Sequence, residues 1–434
     1  MDVVYHHTAR HEELQIGNQS KVLEVSLLVA KGGLGFENRQ AHLDALRGVA
    51  ALIVVVVHFF CVFFPYTVFG VQGEYLQHRA WEKLFYYPPL ALLISGYSAV
   101  CLFFVLSGYV LSYRFLGESG VRSQLVAAMV KRPVRLGGVV LFTVLLGAGI
   151  WASGINNNVA VSEITSSKPY FASEWKGDFS LISASKHIFG HLFSSARVYN
   201  NPLWTIDTEL KGSILIFAFL LLFGNAKFRL LYMTFLIIFF RNNEYQDFFF
   251  GMMAADAMKH GHLSLLHKFK KVLLYLLVIP AIYFFSYPTF TDVNTLATTW
   301  YAILPEFYFL GGSGYCGYPA LGAFLIFALV CISQRLQLIL QNKIFVYVGT
   351  ISYSIYAVHF LVLGTFSSWL FPSQLKFLGY TEAFLSTFVI SLVLIIIFAH
   401  FVTKYVDIPT TRISTWLGRQ VVKGLELVFG QEKP

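Results

Sequence analysis

The sequence has few charged residues and few cysteines, and both shortages restrict what the protein can be. Of its 434 residues only 13% are charged, whereas about a quarter are charged in a soluble domain. Together with a hydrophobic fraction of 56%, this composition excludes an ordinary soluble domain and predicts a protein with many membrane-spanning helices. The four cysteines form no C-x-x-C pair, so we expect neither a disulfide framework nor a metal site.

The net charge of +9 has to be explained together with this apolar composition. Basic residues accumulate in the cytoplasmic loops of membrane proteins, so the excess indicates such loops, and we expect no nucleic-acid partner. The connecting segments alternate between basic and weakly charged, which predicts that both termini are cytoplasmic. We therefore expect a multi-pass protein in the lipid bilayer of a plasma membrane or a bacterial inner membrane.

Ten segments are apolar enough to be considered as spans, each of which needs about 20 residues. The predicted fold is an all-α polytopic bundle of about ten transmembrane helices. Residues 1–40 are expected to be a cytoplasmic tail, residues 41–410 the transmembrane domain with a long outside loop at 154–201, and residues 411–434 a second cytoplasmic tail. The ten segments are 49–64, 90–113, 136–152, 203–223, 228–240, 248–258, 272–287, 320–333, 345–370 and 383–405.

The first predicted span contains polar residues that are unfavourable in lipid and therefore mark a candidate site. In LDALRGVAALIVVVVHFF, Arg47 and His58 are eleven residues apart, which places them on one helix stripe about 16 Å apart along the axis. Asp44 lies one turn before Arg47, near the same stripe. A cation at the membrane surface can hold an anion, and a deeper histidine can act as a general base. The alternative is a core histidine bonded to a carbonyl group and an arginine that extends to the surface.

The ninth predicted span contains a second polar stripe. In VGTISYSIYAVHF, the residues Ser352, Tyr356 and His359 lie on one helix face. A polar face within an apolar span is expected to point into the bundle. It fits a substrate-binding site and interhelical hydrogen bonding equally well.

Two further stretches contain charges close to predicted spans. In NNPLWTIDTELKGS, Asp207 and Lys211 are expected to neutralise each other, while Glu209 has no such partner. Glu209 therefore suggests a binding or catalytic role near the outer end of its span, with an ion pair to an arginine of another helix as the alternative. In KRPVRLGG, Arg132 and Arg135 are expected at the cytoplasmic face, either as ordinary positive-inside residues or as a clamp for phosphate groups.

Six stretches, in order from about residue 41 to about residue 410, resemble the membrane acyltransferases of acyltransferase family 3. They are LDALRGVAALIVVVVHF, CLFFVLSGYVLSYRF, KRPVRL, PLWTIDTELKGS, DFFFGMMAAD and VGTISYSIYAVHF. Two features depart from the family pattern. Thr208 separates two acidic residues that are often adjacent in the family, and TKYVDIPT stands where a Glu-Lys-Pro run is common.

The resemblance implies an O-acyltransferase that moves an acyl group, with acetyl-CoA as the expected donor, from cytoplasmic acyl-CoA to a hydroxyl of a carbohydrate-like or small-molecule acceptor. It implies that His58 is the general base and that Arg47 is an essential neighbour that binds the donor. Arg132 and Arg135 would hold the donor phosphates, and Glu209 would belong to the catalytic group. No metal is implied, and the oligomeric state is left open. The implied substrate-binding residues are Asp44, Trp204, Ser352, Tyr356 and His359.

Other classes of function remain open from the residues alone. A proton-coupled transporter would use His58 and Glu209 as a proton relay, although the sequence shows no inverted repeat and no pair of interrupted helices. A membrane scaffold without catalytic activity is the third possibility. Because no serine or cysteine nucleophile with a paired base is evident, direct acyl transfer is preferred to an acyl-enzyme on a serine.

Overall fold

The chain is described here by a computed structural model. Within the described residues it is helical and has no β-strand, which confirms the all-α class. The predicted N-terminal tail, residues 1–40, lies outside the described residues. The described ranges are 41–71, 75–241, 243–261, 270–304 and 317–429.

The main helices of the bundle are labelled in chain order, and other helices and turns connect them. The labelled helices are α1 Ala41–Phe63, α2 Gly96–Tyr113, α3 Arg122–Ser153, α4 Trp204–Phe223, α5 Arg229–Phe239, α6 Tyr245–Lys259, α7 Lys270–Phe285, α8 Gly317–Ile332, α9 Gln334–Leu340, α10 Lys343–Val362, α11 Ser368–Gln374, α12 Tyr380–Val402 and α13 Ile408–Phe429. The short helices that matter for the site are Ala80–Tyr86, Asn158–Thr165, Lys168–Phe171, Leu181–Gly190 and Asn201–Leu203. Two π-helical turns, Leu363–Ser367 and Thr403–Asp407, join α10 to α11 and α12 to α13.

Within the described ranges, five helical stretches are long and apolar enough to cross a membrane, so the predicted ten spans are not confirmed. They are α1, α2, α3, the run Lys343–Gln374 and the run Tyr380–Val428. The pair α8 and α9, bent by 95°, gives a sixth if it counts as one span. Helix α5 has only 11 residues, and α4 carries three charged residues in its first half. Within the described residues, several of the predicted spans therefore correspond to helices that are short, bent or carry charges.

Helix α1 lies in the interior and packs against α2 and α10. Two glycines bring α1 and α10 into backbone contact, as small residues do in membrane bundles. A Cβ on Gly48 would lie 2.6 Å from the backbone N of Gly349, and a Cβ on Gly349 would lie 2.3 Å from the carbonyl O of Asp44. His58 and His359 each follow their glycine by ten residues, so the two helices bring them to the same level of the bundle.

Residues 154–201, predicted as a long outside loop, fold into short helices and pack on the end of the bundle. The backbone N–H of Asn157 donates to the carbonyl O of Gly364 at 3.0 Å. Trp175 packs its ring so closely that a Cβ on Gly364 would lie 2.2 Å from it, and its Nε1 donates to the carbonyl O of Tyr199 at 2.9 Å. These contacts hold Trp175 at a φ of +49°, a conformation that bulky residues rarely adopt.

Candidate active site

A cavity of about 160 Å³ lies between α1, α2, α3, α4 and α10. Apolar side chains of α2, α3 and α4 form much of its wall, and charged side chains lie at one end. Six residues that were singled out from the sequence line this cavity, although they are distant from one another in the chain. They are Arg47, Arg132, Arg135, Glu209, Ser352 and Tyr356.

Arg132 and Glu209 form an ion pair that joins α3 to α4. The Nε of Arg132 also donates to the hydroxyl of Ser213 at 2.8 Å, and the hydroxyl of Ser107 donates to Glu209 at 2.8 Å. The side chains of Arg132 and Glu209 are only 17% and 12% exposed. Glu209 is therefore not an unpaired carboxylate, and the alternative, an arginine partner on another helix, is confirmed.

The positions of these two residues in the bundle also differ from the prediction. Glu209 was expected near the outer end of a span and Arg132 in a cytoplasmic loop, but the ion pair places them at one level. The reason is that α3 begins at Arg122, whereas the predicted span began at Leu136. Arginine and lysine favour helices almost as much as leucine does, so a segment predicted from hydropathy begins well after the true start of the helix.

Arg135 pairs with Asp407, and its guanidinium lies 5.9 Å from the ring centroid of Tyr353. Asp407 ends the π-helical turn Thr403–Asp407, inside the TKYVDIPT stretch that departs from the family pattern. Turns of this kind often occur at functional sites because they change the direction in which side chains point. The only sequence signal for Asp407 was one acidic residue close to the end of an apolar span.

Arg47 is the least tightly held of the three cavity arginines. Its Nη1 lies 3.6 Å from the Oδ1 of Asp44, and the two side chains are 30% and 23% exposed. Each cavity arginine therefore faces a carboxylate, and an incoming anion has to compete with that carboxylate. Arg132 and Arg135, the predicted phosphate clamp, are therefore already paired with the carboxylates of Glu209 and Asp407.

His58 and His359 contact each other at the other end of the site. The Nε2 of His359 lies 3.0 Å from the Nδ1 of His58. The same Nδ1 of His58 lies 2.8 Å from the carbonyl O of Val54, one turn earlier in α1. The Nδ1 of His359 lies 2.8 Å from the carbonyl O of Tyr356 and 3.2 Å from that of Ile355. His359 is fully buried, and His58 is partly exposed.

The carbonyl contact determines which nitrogen of His58 carries the proton. A carbonyl oxygen can only accept a hydrogen bond, so the Nδ1 of His58 is the protonated nitrogen in the neutral ring. Its Nε2 then has a free lone pair and makes no hydrogen bond to any residue in the described part of the chain. This arrangement suits a general base that works through Nε2.

Tyr356 forms the wall between the cavity and the two histidines. Its hydroxyl donates to the carbonyl O of Pro202 at 3.0 Å and accepts from the hydroxyl of Thr205 at 2.8 Å. Its ring packs 5.8 Å from that of His359 and, on another side, edge-on at 5.7 Å from that of Phe103. The cavity therefore ends one aromatic layer before the histidines.

Residues 154–201 contact the histidine end of the site. The ring of Phe360 packs edge-on against His58 at 5.5 Å. Phe171 and Trp175 from the 154–201 segment pack against Phe360 at 5.8 and 6.0 Å. Access to His58 from this side is therefore controlled by an aromatic layer.

Some residues were misjudged or missed from the sequence. Trp204 begins α4 and packs against the core, but it does not line the cavity, so its substrate-binding role stays a prediction. Ser107, Phe103 and Tyr353 line the cavity and were missed because such residues are common in apolar helices. Among the residues that the structure describes, no group of three or more His, Cys, Asp and Glu is arranged to hold a metal ion.

The sequence profile of the acyltransferase 3 family, described as an acyltransferase domain, matches residues 40–400. The chain belongs to the acyltransferase 3 family. The O-acetyltransferase PaAT-1 of Phomopsis amygdali is 24% identical over 433 aligned positions, which cover 88% of this chain and 85% of that protein. No solved structure gives a significant match. The prediction that this protein is an acyltransferase is thereby confirmed.

Proposed function

We propose that this member of the acyltransferase 3 family transfers an acyl group from acyl-CoA to a hydroxyl group, with His58 as the general base. One observation carries the proposal: a cavity with arginines at one end approaches a histidine whose Nδ1 is held by a carbonyl and whose Nε2 is available. Similarity to a protein named as an O-acetyltransferase supports acetyl as the transferred group and oxygen as the acceptor atom.

The phosphate groups of the donor would bind at the arginine end. Guanidinium groups bind phosphates through paired charge-assisted hydrogen bonds, which suits Arg47, Arg132 and Arg135. Arg47 is the most available of the three, because its carboxylate partner is 3.6 Å away and partly exposed. Arg132 is held on two sides by Glu209 and Ser213, so its charge is kept in place before the donor arrives.

The acyl end of the donor would then extend along α1 towards His58, a rise of about 16 Å from Arg47. The apolar wall of the cavity suits a thioester and a short acyl chain. Tyr356 is fixed by two hydrogen bonds, so the movable part of the aromatic wall is Phe103, which is only partly buried. Rotation of Phe103 would enlarge the cavity beside Tyr356, and the thioester would pass this ring to reach the histidines.

In the transfer step, the acceptor hydroxyl oxygen attacks the thioester carbonyl carbon while the Nε2 of His58 takes the hydroxyl proton. The new C–O bond forms, and the tetrahedral intermediate then expels the CoA sulfur as its C–S bond breaks. His58 returns the proton to that sulfur, so the products are an ester and free CoA, and the histidine is neutral again. Transfer is direct, with no acyl-enzyme and no metal.

We also propose that the arginine end faces the cytoplasm, where acyl-CoA is found, and that both termini lie on that side. The bundle would contain about ten spans in a plasma membrane or a bacterial inner membrane, with the shorter apolar helices supplying the additional crossings. The carbohydrate-like or small-molecule acceptor would approach His58 from the side covered by residues 154–201. Basic residues in the connecting segments support this orientation.

The test is to purify the full chain in detergent and measure acetyl-CoA binding and the release of free CoA, with longer acyl-CoA donors alongside. We expect His58→Ala to lower turnover by about 10²- to 10⁴-fold while donor binding persists. Arg47→Ala should weaken binding. His400→Ala is the matched control, because His400 is a partly buried histidine of α12 whose ring bonds the hydroxyl of Tyr347 at 3.0 Å. Intact protein that neither binds nor cleaves any acyl-CoA would contradict the donor assignment.

A further inference from the structure

We propose that His359 is a positioning residue for this reaction: it accepts a hydrogen bond from the Nδ1–H of His58 and stays neutral throughout the cycle. The proposal rests on the proposed role of His58 as the base. It gives His359 a role different from the substrate binding that the family resemblance implies.

The backbone determines the tautomer of His359. Its Nδ1 faces the carbonyl groups of Tyr356 and Ile355, at 2.8 and 3.2 Å, so that nitrogen must carry the proton. The Nε2 of the neutral ring is therefore an acceptor, and it is this atom that lies 3.0 Å from the Nδ1 of His58. The Nδ1–H of His58 is thus shared between His359 and the carbonyl O of Val54.

The two acceptors of this proton, the carbonyl O of Val54 and the Nε2 of His359, have different effects on His58. Val54 belongs to the same helix as His58 and fixes the tautomer of His58. His359 belongs to α10 and holds the ring from a second direction, which limits rotation of the imidazole away from the reacting atoms. When the Nε2 of His58 takes the acceptor proton, the ring becomes a cation, and hydrogen bonds from a charged donor are roughly twice as strong as neutral ones. The acceptor on α10 therefore stabilises the charged ring more than the resting ring.

The surroundings of His359 argue against a proton relay through both rings. His359 is fully buried, and its polar contacts within the described part of the chain are the two backbone carbonyls and His58. Its other close neighbours are the aromatic rings of Tyr356 and Phe360. No carboxylate stands in ion-pair contact with it among the described residues, so a positive charge there would be buried without a counter-ion.

The packing of α1 on α10 holds the two rings together. Gly48 and Gly349 allow direct backbone contact, and the two histidines follow after ten residues on each helix. The pair therefore depends on the same close approach that forms the cavity wall. A histidine whose only role was to fill the core would not require an acceptor nitrogen at this point.

The experiment compares His359→Gln, His359→Asn and His359→Leu in the purified full chain, with acetyl-CoA as the donor. A glutamine amide reaches the place of the histidine Nε2 and can accept from His58, whereas an asparagine amide reaches only the place of Nδ1. We expect kcat within about threefold of wild type for the Gln variant, and kcat about 10- to 100-fold lower for Asn and Leu. The KM for acetyl-CoA should change by less than about twofold in all three, because the arginine end is untouched.

His400→Gln and His400→Leu are the matched controls and should leave kcat unchanged. A Gln variant as inactive as the Leu variant would overturn the proposal, because the second ring would then have to carry a proton itself. A Leu variant with wild-type kcat would overturn it as well. If the Leu variant fails to fold, the Gln and Asn variants still test the proposal, because their side chains differ by only one methylene group. Equal kcat values in these two variants would contradict it. Wild-type protein without CoA release would overturn the proposed function together with the role of His359.

Discussion

The two ends of the candidate active site are held together by different kinds of interaction. At the arginine end, charges meet across helices, as in the pairs of Arg132 with Glu209 and of Arg135 with Asp407. At the histidine end, each ring makes a hydrogen bond to a carbonyl group of its own helix and another to the second ring. The first end is neutralised in pairs and can accept an anion by exchanging partners. The second is covered by aromatic rings and is built from two imidazole rings that contact each other.

The largest effect is expected from removing one partner of the buried ion pair. Glu209→Ala leaves Arg132 buried without a counter-ion, so the free energy of unfolding should fall by about 3–5 kcal/mol. Asp207→Ala on the same helix is the control, because its partner Lys211 is 56% exposed and such pairs contribute at most about 1 kcal/mol. Denaturant unfolding of the purified variants measures both values. Equal losses would show that the arginine end is not electrostatically buried.

The next effect tests whether the two ends depend on one helix contact. Gly349→Ala adds a methyl group 2.3 Å from the carbonyl O of Asp44, and overpacking of this kind destabilises by about 1–3 kcal/mol. Both donor binding and turnover should fall, because α1 contributes to both ends. Gly424→Ala in α13 is the control, since a Cβ there meets nothing within 4 Å. Wild-type donor binding and turnover in Gly349→Ala would show that the two ends do not depend on this helix contact.

Glu82 offers a contrast to the paired carboxylates of the arginine end. It lies in the short helix Ala80–Tyr86, outside the spans, and is fully buried. The backbone N–H of Arg79 donates to its Oε1, while its Oε2 has no hydrogen-bond partner among the residues that the structure describes. Burial raises the pKa of this carboxyl group to about 7.

The pH dependence of stability follows from that shift. The folded chain keeps the proton of Glu82 to a higher pH than the unfolded chain does, so stability falls as the pH rises from about 5 to about 8. In Glu82→Gln this loss is absent, and the stability of the variant relative to wild type should improve by about 2 kcal/mol over that range. Thermal unfolding at pH 5 and pH 8 measures it. A constant difference between the two proteins at both values would contradict the assignment.

The smallest effect sharpens the account of the arginine end. Asp44→Asn removes the distant, partly exposed partner of Arg47, which contributes at most about 1 kcal/mol. The freed guanidinium should lower the KM for acetyl-CoA by about two- to fivefold, with kcat unchanged. Glu163→Gln removes an exposed partner of Lys168 in the 154–201 segment and should change nothing. A rise in KM for Asp44→Asn would mean that Asp44 orients Arg47 and does not compete with the donor.

Much of the site could be predicted from helical spacing, because it depends only on the period of the helix. The stripe of Arg47 and His58 and the face with Ser352, Tyr356 and His359 are of this kind. The pair of Asp207 with Lys211 was also predicted, and its Nζ and Oδ2 lie 2.6 Å apart. The ten predicted spans are not confirmed, because hydropathy cannot distinguish a full-length apolar helix from the short or bent ones in the described part of the chain.

The sequence by itself determined the all-α class, the membrane character and which polar residues share a helix face. These properties follow from composition and from a repeat of 3.6 residues. Only the tertiary structure decided that Glu209 neutralises Arg132, that Asp407 faces Arg135 and that His359 meets His58. Those contacts depend on how closely two helices approach and in which register. For the two histidines, the register is set by backbone contact at Gly48 and Gly349, a contact that no local pattern encodes.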